Sequence, residues 1–352
     1  MVKLIVHIGN GKTGSSSIQK TLLKAHARLA AQNVTYLGIM LEHARNVVRP
    51  AWQLVSGSKR FFHETPSETA IAQLTDLLDQ ELQKLASEGV TKAIWSNEWI
   101  LTRPQAILPC LQELQRRGVP VEIQCYVRRH DKWAQSAYAQ WGLKDKQYPG
   151  PIRDFASWSA IFGDRDFRFA PSLEVWEGTF GADLRVFNFD RAGDVVQHFL
   201  AANGVMDIPT INDNISPDPV VTAAQAVFNS RARAAVLPAA FDRLRALAEK
   251  SDENAVYLPM LDQLAPSAAT LGDIVRDRSE DIARIDALLQ RSGEPVLSFD
   301  PAPQPLGHPS SWDMDQLILK FIFGLSEEVA QLRKQVADLQ SKVAADPPKS
   351  GQ

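Results

Sequence analysis

The chemistry-bearing residues of this chain are concentrated at a few points. Lys12, Thr13, Ser15, Ser16 and Ser17 crowd into Gly9-Asn-Gly-Lys-Thr-Gly-Ser-Ser-Ser17. A lysine, several hydroxyls and the bare N–H groups of a glycine-rich turn make a cradle for anions, phosphate above all, when they stand at a helix start. A second cationic point is Arg128, with Ser136 eight positions on, inside Tyr126-Val-Arg-Arg-His-Asp-Lys-Trp-Ala-Gln-Ser136. A guanidinium grips a phosphate with two parallel hydrogen bonds, and a hydroxyl adds one more. Glu98 is the first candidate for a general base and His43 the second, since either side chain can take a proton from a reacting hydroxyl.

The elements that must hold these groups follow from apolar periodicity. Leu4 to Ile8 is a β-branched apolar run that reads as a buried strand. Gly9, Gly11 and Gly14 break it into a tight turn, and from Ser15 the period becomes helical, with Ile18, Leu22, Ala25 and Leu29 on one face. Val34 to Leu37 reads as a second strand, with Asn33 as the preceding helix end. Thr65-Pro-Ser-Glu68 has the form of a capping box and predicts a helix through Ile71, Leu74, Leu78, Leu82 and Leu85 to Gly89. Thr91 to Trp95 and Val121 to Val127 predict further strands, with a helix around 104–117 between them. Asp131 can cap a helix from Lys132 to about Trp141, and Leu184 to Phe189 is another strand after a helix at 172–180. Strands alternating with helices predict a parallel sheet covered on both faces, with ligands beyond the carboxyl ends of the strands. Lys12, Glu98 and Arg128 each follow a strand directly, so all three are expected in one crevice.

The nucleotide classes can be compared residue by residue. An ATP-type loop needs glycine five positions before Gly11, and Val6 stands there; no apolar strand ends in an aspartate placed for magnesium. The dinucleotide fingerprint with its ribose-binding acid is also missing. Lys12-Thr-Gly-Ser-Ser-Ser17 after the first strand, with Arg128 and Ser136 at their spacing, resembles the sulfotransferases that use 3′-phosphoadenosine 5′-phosphosulfate (PAPS). The resemblance spans about residues 1–220. It extends to Leu173-x-x-Trp176-x3-Phe180-Gly181 and to Asn214-Ile-Ser-Pro217. It departs at Arg128-Arg129-His130, where many cytosolic relatives have Arg-Asn-Pro, and so leans toward the bacterial and carbohydrate-directed branch.

This resemblance implies a P-loop-like three-layer fold and sulfuryl transfer from PAPS to a hydroxyl acceptor, a glycan or glycolipid, without a metal. It implies Lys12, Thr13, Gly14, Ser15, Ser16 and Ser17 at the 5′-phosphosulfate and Arg128 with Ser136 at the 3′-phosphate. Lys12 would also meet charge on the leaving oxygen. Trp52, Trp95, Trp99, Trp133, Tyr138, Trp141 and Trp158 are candidates to stack on a sugar. A nucleotide kinase with a degenerate loop and a non-catalytic adaptor remain as alternatives.

Composition sets outer bounds. The 352 residues carry a net charge of −3, which gives no sign of a nucleic-acid surface. Two cysteines, Cys110 and Cys125, make neither a metal cluster nor a disulfide framework. No segment has the length or flanks of a targeting signal or membrane span, so the expected location is cytoplasmic. The expected organisation is an α/β domain over 1–294, with its nucleotide core at about 1–210 and a helical part at about 211–294. A proline-rich linker at 295–311, a helix at 312–345 and a tail at 346–352 follow. In that helix Leu325, Val329, Leu332, Val336, Leu339 and Val343 recur at alternating steps of four and three, with Glu327, Lys334 and Lys342 off the seam. That heptad pattern makes self-association through the C-terminal helix an expectation, in competition with docking on the main body.

Overall fold

The structure, a computed structural model, describes residues 1–46, 48–146, 148–162, 168–211, 219–231, 241–242, 264–299 and a set of positions between 318 and 339. In chain order the elements begin with β1 (Lys3–His7), α1 (Ser15–Lys24), α2 (His26–Ala30), β2 (Val34–Tyr36), α3 (Ser67–Ser87) and β3 (Lys92–Ser96). Then come α4 (Leu108–Arg116), β4 (Val121–Val127), α5 (His130–Ala137), α6 (Phe155–Phe162), α7 (Ala170–Phe180) and β5 (Leu184–Asn188). The last are α8 (Val195–Ala202), α9 (Pro219–Arg231), α10 (Ala268–Asp277) and α11 (Ser279–Arg291). The expected Asn214–Pro217 element, most of the linker and the tail lie outside the described residues.

The chain divides into two compact units. The first comprises Met1–Ala134, Phe162–Ser216 and Ala269–Pro303; the second comprises Gln135–Ile161, Pro217–Ala268 and Gln304–Gln352.

The first unit is the α/β sandwich. Its five strands are all parallel, in the order β2-β3-β1-β4-β5. Parallel strands buried on both faces must be apolar nearly throughout, and Leu4, Ile5, Val6 and Ile8 are at most 1% exposed. Ile5, Ile94, Tyr126 and Phe187 form one core with Ile18 and Leu22 of α1 and Phe199 of α8. Alternation turns Leu4 and Val6 to the opposite face, where α4 meets β4 and where α7 and α11 meet β5. The route from β1 runs out to β2, returns to β3 and crosses β1 to reach β4. β1 therefore lies at the switch point where open sheets bind ligands.

Three local expectations change. α3 begins at Ser67 after Pro66 with no side-chain cap, because the Thr65 hydroxyl donates instead to the Arg60 carbonyl. Asp131 lies inside α5 and accepts from Arg129 Nε at 2.7 Å, so the neighbouring guanidinium takes its capping capacity. Val296 and Leu297, assigned to the proline-rich linker, pack on the first unit. Both are buried there, and the Leu297 amide donates to Asp286 at 2.6 Å. Asn33 does end its helix in the left-handed conformation, at φ 57°.

The second unit carries its own aromatic cluster. Tyr138 packs edge-on against Phe155 and Trp158 and donates its hydroxyl to the Arg153 carbonyl at 2.8 Å. α9 is held there by Asn229, whose amide donates to the Leu143 carbonyl at 2.6 Å.

Candidate functional site

The turn after β1 forms because two of its residues take left-handed backbone: Lys12 at φ 69° and Gly14 at φ 82°. Gly14 can do so without a Cβ penalty, and it has no room for a side chain. A Cβ there would lie 2.5 Å from Val195 Cγ1. The Thr13 hydroxyl is fully buried and donates to the Asn10 carbonyl at 2.8 Å, so it shapes the loop. Trp133 fixes the turn from the side by donating its indole N–H to the Gly11 carbonyl at 2.8 Å. α1 starts at Ser15 with no side-chain cap; the Ser17 amide donates to the Gly14 carbonyl at 3.0 Å, which leaves those of Ser15 and Ser16 to whatever sits over them. Lys12 is half-buried, Ser16 exposed, and Ser15 and Ser17 buried.

Three buried polar atoms at this turn have no hydrogen-bond partner: His7 Nε2, Asn10 Nδ2 and Ser15 Oγ. A Cβ built on Gly9 would come within 2.4 Å of Ser15 Oγ and 3.5 Å of His7 Nε2, so Gly9 keeps open the space that these two atoms share. Unsatisfied buried polar atoms are costly and rare, and three around one glycine turn point to a polar ligand.

The sign of that ligand follows from the neighbouring hydrogen bonds. Gln19 Nε2 donates to Glu98 Oε2 at 2.9 Å, to the Ser96 carbonyl at 3.2 Å and to Ser96 Oγ at 3.4 Å. Two of these acceptors cannot donate, which fixes the amide orientation. The other partner of the Ser96 hydroxyl is His7 Nδ1, at 2.8 Å. The neutral tautomer with its proton on Nε2 lets Ser96 donate to Nδ1 and presents an N–H to the turn. Burial holds His7 neutral, lowering its pKa from 6.5 to about 4. In that tautomer His7 Nε2–H joins Asn10 Nδ2–H₂ and the Ser15 hydroxyl as donors. Beside the positive end of α1, the fitting ligand is an anion.

Glu98 follows β3, the strand next to β1, and its bond from Gln19 requires it to accept, as an ionised carboxylate does. His43 follows β2, two strands or roughly 10 Å from β1. Its ring packs on Tyr36 at 5.7 Å, and its Nε2 lies 3.8 Å from Glu42. Burial, then the charges of Glu42 and Glu98, raise the Tyr36 pKa. The geometry thus brings Glu98 to the turn and leaves His43 at the sheet margin.

On the other side of β1, Arg128 follows β4. Its Nε donates to Asp190 Oδ1 at 3.1 Å, its guanidinium lies 5.1 Å from the Phe189 ring centre, and 23% of the side chain is exposed. Lys132 reaches the same carboxylate at 3.6 Å. The start of α5 is pinned by His130, whose Nε2 lies 2.9 Å from Asp281 Oδ2 and whose ring stacks on Phe169. Burial pushes the Asp281 carboxyl up, but the His130 bond and the amides of Phe169 and Ala170 outweigh it and hold it below its ordinary value. Ser136 stands in the last turn of α5, half-buried; Arg128 belongs to the first unit and Ser136 to the second.

Of the aromatic candidates, Trp52, Trp95, Trp133, Tyr138 and Trp158 are buried; their rings serve the core. Trp99 and Trp141 are half-buried. Trp99 stacks on Phe62 at 6.1 Å under the guanidinium of Arg103. Both cysteines are buried and free, and burial pushes their thiols up to about 12. Among the described residues no group of three or more His, Cys, Asp or Glu side chains is placed to hold a metal ion, and no helix is long and apolar enough to cross a membrane.

Gln19 and Asp190 escaped the sequence reading. Gln19 has a signal in retrospect: it shares the buried stripe of α1 with Ser15, Ile18 and Leu22, where a long polar side chain must have a buried partner. Asp190 has none, because only the β4–β5 pairing brings it to Arg128.

No protein-family model matches this chain, and no curated protein matches it. Among solved structures, the crystal structure of a sulfotransferase from Alicyclobacillus acidocaldarius aligns with a TM-score of 0.36 at 14% identity, covering 69% of this chain and 99% of that one. At that distance no site residue can be transferred from it.

Proposed function

We propose that the first unit is a sulfotransferase that takes a sulfuryl group from PAPS and passes it to a hydroxyl. The observation that carries this reading is the convergence of three buried polar atoms without a hydrogen-bond partner, His7 Nε2, Asn10 Nδ2 and Ser15 Oγ, on the turn that holds Lys12. An anion fits that set, and Arg128 at the end of the adjacent β4 supplies a second cationic point, which a donor carrying both a 5′-phosphosulfate and a 3′-phosphate requires. Bound there, the donor contributes the activated sulfuryl group and a phosphate leaving group.

Each residue then has a physical task. The first-turn amides of α1, Ser15, Ser16 and the His7 ring hold the 5′ end, with Thr13 and Gly14 fixing the loop and Ser17 buried behind it. Lys12 meets the negative charge that grows on the departing oxygen. Glu98, held by Gln19, accepts the proton of the attacking hydroxyl as its oxygen bonds to sulfur and the bridging S–O bond breaks. Arg128, oriented by Asp190 and Phe189, grips the 3′-phosphate. Trp99, half-buried and next in the chain to Glu98, supports a glycan or glycolipid acceptor. The two free, buried thiols support a reducing compartment, the cytoplasm.

Calorimetry with the desulfated nucleotide PAP, in the absence of magnesium, tests the assignment. Arg128→Ala should weaken binding by more than about 2 kcal/mol, the scale of a truncated charge-assisted contact. Lys12→Ala should lower turnover more than nucleotide affinity. Unchanged PAP binding in Arg128→Ala would overturn the 3′-phosphate site, and magnesium-dependent ATP turnover without PAP binding would make the protein a kinase.

A further inference from the structure

The C-terminal segment carries a surface that the proposed chemistry does not use. Every described residue between 318 and 339 is helical. Along it Ile322, Val329 and Val336 fall at one heptad position, a. Ile318, Leu325, Leu332 and Leu339 fall at the other, d. Ile318, Leu325, Val329, Leu332, Val336 and Leu339 are between 44% and 60% exposed. At g, beside the seam, Phe321 meets Phe241 of the second unit edge-on, at 6.0 Å.

The spacing selects the shape of what covers this stripe. A 3.5-residue repeat drifts by about 20° per heptad around a straight helix of 3.6 residues per turn. Over three heptads the stripe winds through about 60°, which a supercoiling helix follows and a flat surface does not. The residue types select the partner and its direction. β-branched residues at a with leucine at most d positions favour two parallel strands. In a parallel pair each g position faces e′ five residues on, and here g is Glu328 and e is Arg333, so one segment holds both halves of an interhelical ion pair. A sequence that complements itself in this way has a second copy as its partner.

We propose that residues 318–339 pair with the same segment of a second copy as a parallel, in-register, two-stranded coiled coil. Val329 and Val336 then face their own counterparts, and Glu328 of each copy faces Arg333 of the other. Three heptads are marginal for an isolated helix pair; the Phe321–Phe241 anchor favours helix formation before pairing.

Sedimentation equilibrium of the full chain at tens of micromolar should give twice the 39.0 kDa chain mass. Val329→Lys with Val336→Lys should yield monomer at the same concentration, and because both sites are exposed the circular dichroism of the rest should persist. Glu328→Arg should raise the dissociation constant by about tenfold, and adding Arg333→Glu should restore it. Leu339→Cys should cross-link under mild oxidation, since in-register parallel helices bring the two thiols together and an antiparallel pair separates them by about 30 Å. The native cysteines are buried and do not compete. A monomeric wild type, a trimer, or a dimer that Leu339→Cys fails to cross-link would each overturn the proposal. None of these readouts depends on nucleotide binding.

Discussion

The buried imidazole at the end of β1 should make the fold acid-sensitive, by an amount that can be worked out. His7 is fully buried and titrates at about 4 in the folded chain, against 6.5 for a free imidazole. Between those values the unfolded chain binds a proton that the folded chain refuses, so stability rises with pH. The contribution is complete above about pH 6.5, declines as pH falls through 6.5 to 4, and levels off below. Two and a half pH units at about 1.4 kcal/mol each give roughly 3 kcal/mol, a large part of an ordinary domain's 5–15 kcal/mol. His7→Asn keeps a polar atom near the Nδ1 position for Ser96 and removes the titration. Urea unfolding of both proteins at half-unit steps from pH 7.5 to 4.5, following the transition of the sheet, isolates the effect. The wild-type curve should steepen below pH 6.5 relative to the variant. Parallel curves would show that the ring is not held neutral in the folded chain.

Two further outcomes follow from the same geometry. Gly14→Ala places a Cβ in the left-handed region and against Val195, so stability should fall by roughly 2–4 kcal/mol in chemical denaturation. A loss below about 1 kcal/mol would mean that the turn relaxes freely. Gln19→Met preserves the length of the side chain while releasing Glu98, so turnover should fall by about tenfold or more with a change of only a few degrees in the melting midpoint. Full activity in this variant would separate Glu98 from proton transfer.

The sheet was legible in the sequence because parallel strands buried on both faces must be written as short apolar runs. Val121 to Val127 shows this directly, with bounds that match β4. The turn was legible because glycine, lysine and serine have few other reasons to sit together between a strand and a helix. What stayed hidden were partners chosen by tertiary pairing. Asp190 reaches Arg128 across β4 and β5, and Gln19 reaches Ser96 and Glu98 from a helix on one side of β3. Capping was misjudged at Thr65 and Asp131 for one reason: a nearer group in the folded chain claimed each side chain first. The linker boundary failed at Val296 and Leu297 because prolines mark a lack of regular structure, not a lack of packing.

The hydrogen bonds from Glu98 to His7 have a consequence for the timing of the proposed sulfuryl transfer. Gln19 Nε2 can only donate, and in the tautomer with the ring proton on Nε2 Ser96 donates to Nδ1 and the ring presents Nε2–H to the turn. Water around a free ion has to reorient as charge moves, and that reorganisation is a large share of an uncatalysed barrier. This array has already done its reorienting while the chain folded. The dipoles stand aligned before any anion arrives, and no side chain in the series has to turn when charge appears.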